Sequence, residues 1–477
     1  MANDARTEVL VVGAGPGGYA AAFAAADHGK KVTLVDPAEN PGGVCLYRGC
    51  IPSKALLHAA KIIHEARDAR QIGIRYPEPE IDLDGLRSWK QEVVGKLTGG
   101  LGQLGKQRKV RHIRGTARFQ DSGSVEITPH EGEPFELAFE HAILASGSKA
   151  AQLPIAPEVS DRVWDSRRAL ELPRLPKTLL VVGGGYIGLE LGSVYAALGA
   201  KVTVVEMMPT LLPGVDRDLL SVYKHRAEET FADVLTRTKV SEIKEQKNGV
   251  SVRIETQGED PVSRRFDAVL IAVGRRPVTD GLDLGRTGVE VGEDGFVEID
   301  KQRRTADERI FAIGDVAGEP MLAHKATHEG RVAADVIAGK KAAFEPRAIP
   351  AVVFTDPEIA WCGLTEAEAR EQKREIKVAR FPWGASGRAV TLTRTDGLTK
   401  LIMDPSNERI LGVGIVGSGA GELIAEGVLG IEMAAVSDDL RMSIHPHPTL
   451  SETVMEAADL LHGESTHYFM PRREKRG

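Results

Sequence analysis

Apolar positions near the start of this chain come in short unbroken runs separated by glycines. Val9–Val12 is one such run; a glycine-rich turn, a stretch of small residues and a second run, Val32–Val35, follow it and close on Asp36. Continuous apolar runs of this length predict buried strands, and the small-residue stretch between them predicts a crossover helix. The same text recurs from Thr178 to Glu206 without a gap. Gly13, Gly15 and Gly18 align with Gly183, Gly185 and Gly188; Gly29 with Gly199, Lys31 with Lys201, and Asp36 with Glu206.

Each copy therefore reads strand, G-x-G-x-x-G turn, helix, strand, acid. In such a unit the first glycine makes the tight turn and the second lets backbone approach a pyrophosphate. The third lets helix pack on strand, and the helix N-terminus offers free N–H groups and a positive dipole to the phosphates. The closing acid accepts hydrogen bonds from ribose hydroxyls. One such turn is a weak signal, and two glycine-rich strand–helix turns without a ligand are the plain alternative. Two in-register copies, each with its acid, predict two dinucleotide sites.

The remainder is organised around them. Ile143–Ser148 (ILASGS) and Ile271–Arg275 (IAVGR) are strand–glycine exits that bracket the second repeat, and Ile310–Asp315 (IFAIGD) is a further buried strand ending in Gly-Asp. From Ile349 onward, strands and amphipathic helices appear without glycine fingerprints. The expected class is α/β: two Rossmann-like dinucleotide-binding domains, the second inserted in the first, plus a C-terminal α+β domain. The expected boundaries are 1–149 and 276–348 for the two parts of the first domain, 150–275 for the second, and 349–477 for the third.

Composition narrows the classes. The 477 residues are 42% hydrophobic and 27% charged, which excludes collagen-like and disordered chains. No apolar run reaches the eighteen residues a membrane span needs. With 61 Lys+Arg against 68 Asp+Glu the net charge is −7, and no basic stripe points to a nucleic-acid partner. Met1-Ala2-Asn3-Asp4 lacks the basic start of a leader, so a reducing cytoplasmic setting is expected. Only 3 cysteines are present, too few for a disulfide framework.

Two of those cysteines carry the candidate chemistry. Nine residues after Asp36 comes Cys45-Leu-Tyr-Arg-Gly-Cys50, then Ile-Pro52-Ser-Lys54, ahead of an amphipathic helix over Ala55–Ala69. Thiols at a helix N-terminus have stabilised thiolates and become nucleophiles or metal ligands. Buried inert thiols and a zinc half-site are the alternatives, but Cys362 stands alone and no metal site is expected. Two dinucleotide sites beside a dithiol suggest a relay from thiol to flavin to nicotinamide. Gly100-LGQL-Gly105-Lys106 fits a phosphate loop in part; Gln107 replaces its Ser/Thr and a helix precedes it, so it reads as a flexible helix end. His447, ahead of Pro448-Thr449, is a candidate base, since an imidazole titrates in the range needed to take a thiol proton. Glu452 either orients that ring or closes a Thr449-x-x-Glu452 capping box.

Gly42–Leu57 (GGVCLYRGCIPSKALL) resembles the redox signature of the pyridine nucleotide–disulfide oxidoreductases, and His445–Glu452 (HPHPTLSE) resembles their acid–base signature. The likeness runs over essentially the whole chain. Two departures stand out: Tyr47-Arg48 where the family usually has Asn-Val, and Pro446 where it usually has Ala. The resemblance implies FAD and NAD as cofactors and oxidation of protein-bound dihydrolipoamide by NAD+. Cys45 would be the interchange thiol and Cys50 the thiolate facing the flavin, with Lys54 by the flavin ring and paired with Glu190. His447 would be the base and Glu452 its orienter.

It further implies that FAD is held by Gly13, Gly15, Gly18, Asp36, Lys54, Ala117, Gly147, Asp315 and Ala323. NAD would be held by Gly183, Gly185, Ile187, Gly188, Glu206, Val240, Ala272, Gly274 and Arg275. The dithiol lies close behind the first acid and no redox group follows Glu206, which also favours FAD in the first repeat. Glu206 with uncharged Met207-Met208, and no arginine beside them, favours NAD over NADP. The implied partners are a second copy of the chain, whose disulfide the histidine would reach, and a lipoyl group on the acyltransferase of a 2-oxo acid dehydrogenase complex or on a glycine-cleavage carrier protein. A flavin-binding redox sensor, an assembly scaffold, or another disulfide reductase of the family are the alternatives. A glutathione-type enzyme would need an arginine pocket, and a mercuric reductase a cysteine pair at the C-terminus, where none stands.

Overall fold

The computed structural model describes residues 5–469; residues 1–4 and 470–477, on which the leader and cysteine-tail readings rest, lie outside it. Arg6–Val12 runs parallel to Val32–Asp36 on one side and to Phe135–Leu144 on the other. Its residues Val9, Leu10 and Val11 have no exposed surface, which is why this run carries no polar alternation. Helix Pro16–Asp27 makes the crossover, with Pro16 at its first turn, where a missing N–H costs nothing. Arg111–Asp121 pairs in parallel with Val32–Asp36, then antiparallel with Ser124–Pro129, which returns to Phe135–Leu144. Ile310–Ala312 completes this sheet, parallel to Phe135–Leu144.

The second repeat forms its own five-stranded parallel sheet, in the order Asp233–Leu235, Lys201–Val205, Thr178–Val182, Ala268–Ile271, Val163–Trp164. An antiparallel sheet of Thr238–Gln246, Gly249–Thr256 and Val262–Phe266 packs against one face through Val250, Val252 and Ile254. Where the chain passes into and out of this unit, Ser148–Ala150 and Arg275–Pro277 pair with each other as a two-stranded ribbon. The third unit is a five-stranded antiparallel sheet between Ala351 and Gly417, carrying helices Ala420–Glu432 and Glu452–His462.

The units are pinned together by ion pairs. Lys400, 1% exposed, reaches Asp216 (2.5 Å), Asp218 (2.8 Å) and Glu366 (3.1 Å), tying the second unit to the third. Asp356 joins Arg394 at 2.5 Å and Arg226 at 3.6 Å. Among the described residues no helix is long and apolar enough to cross a membrane.

Two local expectations change. The helix expected over Ala55–Ala69 begins earlier, at Cys50, so the cysteine itself sits in its first turn. Gly100–Lys106 is no loose end: it lies inside helix Leu83–Gln107, where Gly105 faces Phe23 and Gly102 faces Asn40.

Candidate active site: two cradles and a dithiol

The two glycine turns are built alike. Gly13 (φ +100°) and Gly183 (φ +110°) take the left-handed region, and a Cβ on either would lie 2.3 Å from a carbonyl oxygen, of Ala145 and of Ala272. A Cβ on Gly18 would meet Gly13 O at 1.8 Å, and on Gly188 it would meet Gly183 O at 2.1 Å. Both third glycines therefore serve helix–strand packing. The middle ones leave space: a Cβ on Gly185 would touch nothing within 4 Å, and on Gly15 only Gly43 Cα at 4.0 Å. That space is where backbone N–H groups at a helix start can receive phosphate oxygens.

The closing acids repeat as well. Asp36 accepts the N–H of Ala14 at 2.8 Å and of Ala38 at 2.9 Å. Glu206 accepts the N–H of Gly184 at 2.6 Å and of Met208 at 2.7 Å. In each copy one carboxylate fastens the glycine turn to the end of the second strand.

The first cradle opens into a cavity of about 550 Å³ lined by Gly13, Gly15, Gly18, Asp36, Ala117, Gly147, Asp315 and Ala323, with Cys45, Cys50 and Lys54 in the same wall. Cys45 lies on the short helix Gly43–Arg48 and Cys50 begins the next helix. The two thiols share a hydrogen bond that brings Cys50 down to about 7; Lys54 adds to this, while burial and Glu190 oppose it. Cys45, the donor of that bond, is pushed up by it and by burial. One thiol is thus poised as a thiolate near neutrality, the other as its proton-bearing partner.

Lys54 Nζ stands 2.8 Å from Glu190 Oε2 and 4.3 Å from the centre of the Phe354 ring, and Phe354 N–H donates to Glu190 Oε1 at 3.0 Å. Asp315 accepts from Ser148 Oγ at 2.5 Å, and Arg275 donates to the same hydroxyl at 2.8 Å. Beneath this loop the fully buried Glu329 accepts the N–H of Gly314 and pairs with Arg303 and Lys325. Phe354 and Glu329 carry no local sequence signal, whereas Ser148 closes the Ile143–Ser148 strand–glycine exit; its part in holding Asp315 emerges only in the fold.

The second cradle opens into a cavity of about 660 Å³ lined by Gly183, Gly185, Ile187, Glu206, Val240, Ala272, Gly274 and Arg275. Gly188 lies beneath it as a packing position. Tyr186, Ile187, Arg275 and Met321 line both cavities, so the two sites share one wall. The reading that no arginine stands beside Met207-Met208 needs correcting. The N–H of Arg237 donates to Met208 O, and Arg237, Lys239 and Met207 share a smaller cavity. Folding brings this arginine in from the loop between Asp233–Leu235 and Thr238–Gln246. It lines that smaller cavity, which shares Met207 and Lys239 with the second cradle, and Lys239 is paired with Glu255 at 3.0 Å.

His447 and Glu452 line neither of these cavities. His447 Nδ1 lies 2.9 Å from Glu452 Oε1 while Oε2 accepts the N–H of Thr449 at 2.8 Å. The capping box is not formed: the helix starts at Glu452 after Ser451, and the Thr449 hydroxyl donates to Pro446 O instead, so the carboxylate holds the ring and the loop before the helix. Burial opposes ionisation of Glu452, but those two contacts hold it below the usual carboxylate range. The His447 side chain is 70% exposed on the third unit, which also exposes the apolar residues Leu429, Met433, Met442 and Ile444. His445 is engaged separately, by Glu426 at 2.7 Å.

Comparison with known proteins agrees along the whole chain. The family model described as pyridine nucleotide-disulphide oxidoreductase matches residues 7–330, and that of its dimerisation domain matches residues 349–458. The chain is 47% identical to a dihydrolipoyl dehydrogenase of Haemophilus influenzae, over 98% of this chain and 97% of that protein. A dihydrolipoyl dehydrogenase of Haloferax volcanii is likewise 47% identical, over 97% of each. Among solved structures, LpdA from Mycobacterium tuberculosis superposes with a TM-score of 0.88 at 26% identity, covering 95% of this chain and 99% of that one. The HOCl-induced flavoprotein disulfide reductase RclA of Escherichia coli does so with 0.84 at 28%, at the same coverage. This chain belongs to the pyridine nucleotide–disulphide oxidoreductases.

Proposed function

We propose that the protein oxidises protein-bound dihydrolipoamide to lipoamide with NAD+, in ping-pong fashion, using FAD in the first cradle and NAD in the second. The observation that carries this is the dithiol in a cavity that shares a wall with a second dinucleotide cradle. The relatives' name supplies the substrate, and the empty space over Gly15 and Gly185 fits two diphosphates. When bound, FAD accepts an electron pair next to the dithiol and NAD+ takes it away as hydride.

The chain's own residues do the rest. Glu452 holds Nδ1 of His447, which leaves Nε2 to take a proton from the substrate thiol. In the oxidised enzyme Cys45 and Cys50 would be joined as a disulfide; the substrate thiolate attacks Cys45 Sγ, the Cys45–Cys50 bond breaks, and Cys50, the more acidic of the two, leaves as the thiolate. The second substrate thiol displaces Cys45, releasing lipoamide and leaving both cysteines reduced. Lys54, fixed by Glu190, sets a positive charge beside the thiolate. Asp36 and Asp315, which line the first cavity, would take the FAD ribose and ribityl hydroxyls, and Glu206, which lines the second, the NAD ribose.

His447 stands outside the dithiol cavity of its own chain, and the third unit that carries it exposes Leu429, Met433, Met442 and Ile444. A homodimer formed through this unit sets the histidine of one copy over the thiols of the other. The macromolecular substrate is a lipoyl domain, of a 2-oxo acid dehydrogenase acyltransferase or a glycine-cleavage carrier, in a reducing cytoplasm. A steady-state assay of the purified yellow protein with NAD+ and dihydrolipoamide tests the reading. Rapid NADH formation supports it, whereas turnover only with NADPH and glutathione disulfide would overturn it.

A further inference from the structure

The two residues that depart from the usual family sequence, Tyr47 and Arg48, have different surroundings. The Tyr47 hydroxyl donates to Asn40 O at 3.0 Å and closes the loop between the first acid and the dithiol. Arg48 lies four residues after Val44, on the same face of the short helix, and both line the first cavity. Arg48 also lines a smaller side cavity next to it, with Asp36, Lys90 and Arg167.

No carboxylate among the described residues pairs with Arg48. Both oxygens of Asp36 are occupied by the N–H groups of Ala14 and Ala38. Arg275 donates to Ser148 and not to an acid, and Arg167 reaches Glu171 only at 3.8 Å. Desolvation lowers the Arg48 pKa, Arg167 and Arg275 lower it further, and Asp36 alone opposes them. Arg48 and Arg275 line the first cavity, Arg167 and Glu171 join Arg48 in the side cavity, and among the described residues no acid of either cavity bonds Arg48. Arg48 shares the first cavity with Asp36, the ribose end, and with Cys45, Cys50 and Lys54, the redox end. A guanidinium left unpaired in a ligand cavity is suited to bidentate recognition of phosphate.

We infer that Arg48 is a binding residue for the diphosphate of the dinucleotide in the first cradle, supplementing the helix N-terminus at Gly15–Gly18 with a charged contact. The inference rests on the reading that this cradle holds FAD. In this chain the diphosphate then has a side-chain cation reaching it from the dithiol helix. The same six-residue helix carries the interchange thiol at one position and the cofactor anchor at the next turn.

The test is the rate at which the holoprotein loses FAD on dilution into flavin-free buffer, followed by the rise in flavin fluorescence at low and at high salt. It compares the wild type with Arg48→Met and Arg48→Lys. Release from Arg48→Met is expected at least tenfold faster than from wild type, with Arg48→Lys in between. Wild-type release should quicken with salt and the methionine variant should respond much less. Release from Arg48→Met at the wild-type rate would overturn the inference. So would equal loss from both variants with unchanged salt response, which would mark a packing role. A wild-type protein that retains no flavin would sink the cofactor reading itself; a flavin-bearing wild type with an unaffected methionine variant sinks only this contact.

Discussion

The two dinucleotide cradles are close copies in backbone and differ in what surrounds them. Their first glycines share the same left-handed turn and the same 2.3 Å approach to a carbonyl, and their acids grip equivalent N–H groups. After Asp36 the chain turns into Gly42-Gly43 and the cysteines, which fold back over the cradle, with Gly43 Cα near Gly15. After Glu206 it runs into Met207 and Met208, 69% and 44% exposed. Local sequence builds a dinucleotide site; the stretch after its acid, as far as Cys50 in the first copy, decides whether that site only holds a nucleotide or also does redox work.

The sharpest way to break this difference is to remove the dithiol. Cys45→Ser and Cys50→Ser should each abolish lipoamide turnover while the second cradle still binds NADH. Visible spectra separate their roles: Cys45→Ser should show a long-wavelength charge-transfer band from a Cys50 thiolate, and Cys50→Ser should not. Identical spectra from the two variants would refute the assignment.

A smaller loss is expected outside both cradles. His447→Gln keeps bulk but removes the proton acceptor, and should slow dihydrolipoamide oxidation by roughly a hundred- to ten-thousand-fold. Reduction of the flavin by NADH should persist, and raising pH toward the thiol pKa of about 8.5 should restore part of the rate. Near-normal turnover at neutral pH would place the base elsewhere.

Exchanging the second acid tests whether the cradles are interchangeable in charge. Glu206→Arg should weaken NAD+ and strengthen NADP+, each charged contact being of order 1.5–3 kcal/mol, or roughly ten- to a hundred-fold in affinity. FAD content should stay the same. An unaltered preference, measured by KM for both nucleotides, would separate Glu206 from the ribose.

The mildest effects come from two glycines of one turn. Gly188→Ala drives a methyl into Gly183 O and should cost about 1–3 kcal/mol of stability in a thermal melt. Gly185→Ala meets open space, so its melt should stay within about 0.5 kcal/mol of wild type while NAD+ binds less tightly. Equal melts for the two variants would show that the third glycine does not carry the packing.

What could be read without the structure was whatever is local in sequence. The repeat, its glycine roles and its acids are set within thirty residues, and short-range sterics enforce them. The Lys54–Glu190 contact, 136 residues apart, came from family resemblance alone, since no periodicity links the two helices. Phe354 was not foreseen: its backbone N–H, which has no side-chain signature, is what caps Glu190. Arg237 comes beside the methionines through a contact between two loops, which leaves no local mark in the sequence. Arg275 was placed at the second site only, yet its guanidinium bonds to Ser148 on the first cavity's wall. Pro52 suits the first turn of the helix expected over Ala55–Ala69, and the structure has it there, but the helix starts at Cys50, ahead of the amphipathic stretch that marks it in sequence.

Glu190, 3% exposed, sits on a helix of the second unit, but its two oxygens are spent on Lys54 of the first and Phe354 of the third. Swinging the second unit outward on its two-stranded ribbon would break both contacts and return the carboxylate and the ammonium to water. A single acid of the second unit is thus a three-way clasp that seats this unit on the other two beside the wall the cradles share.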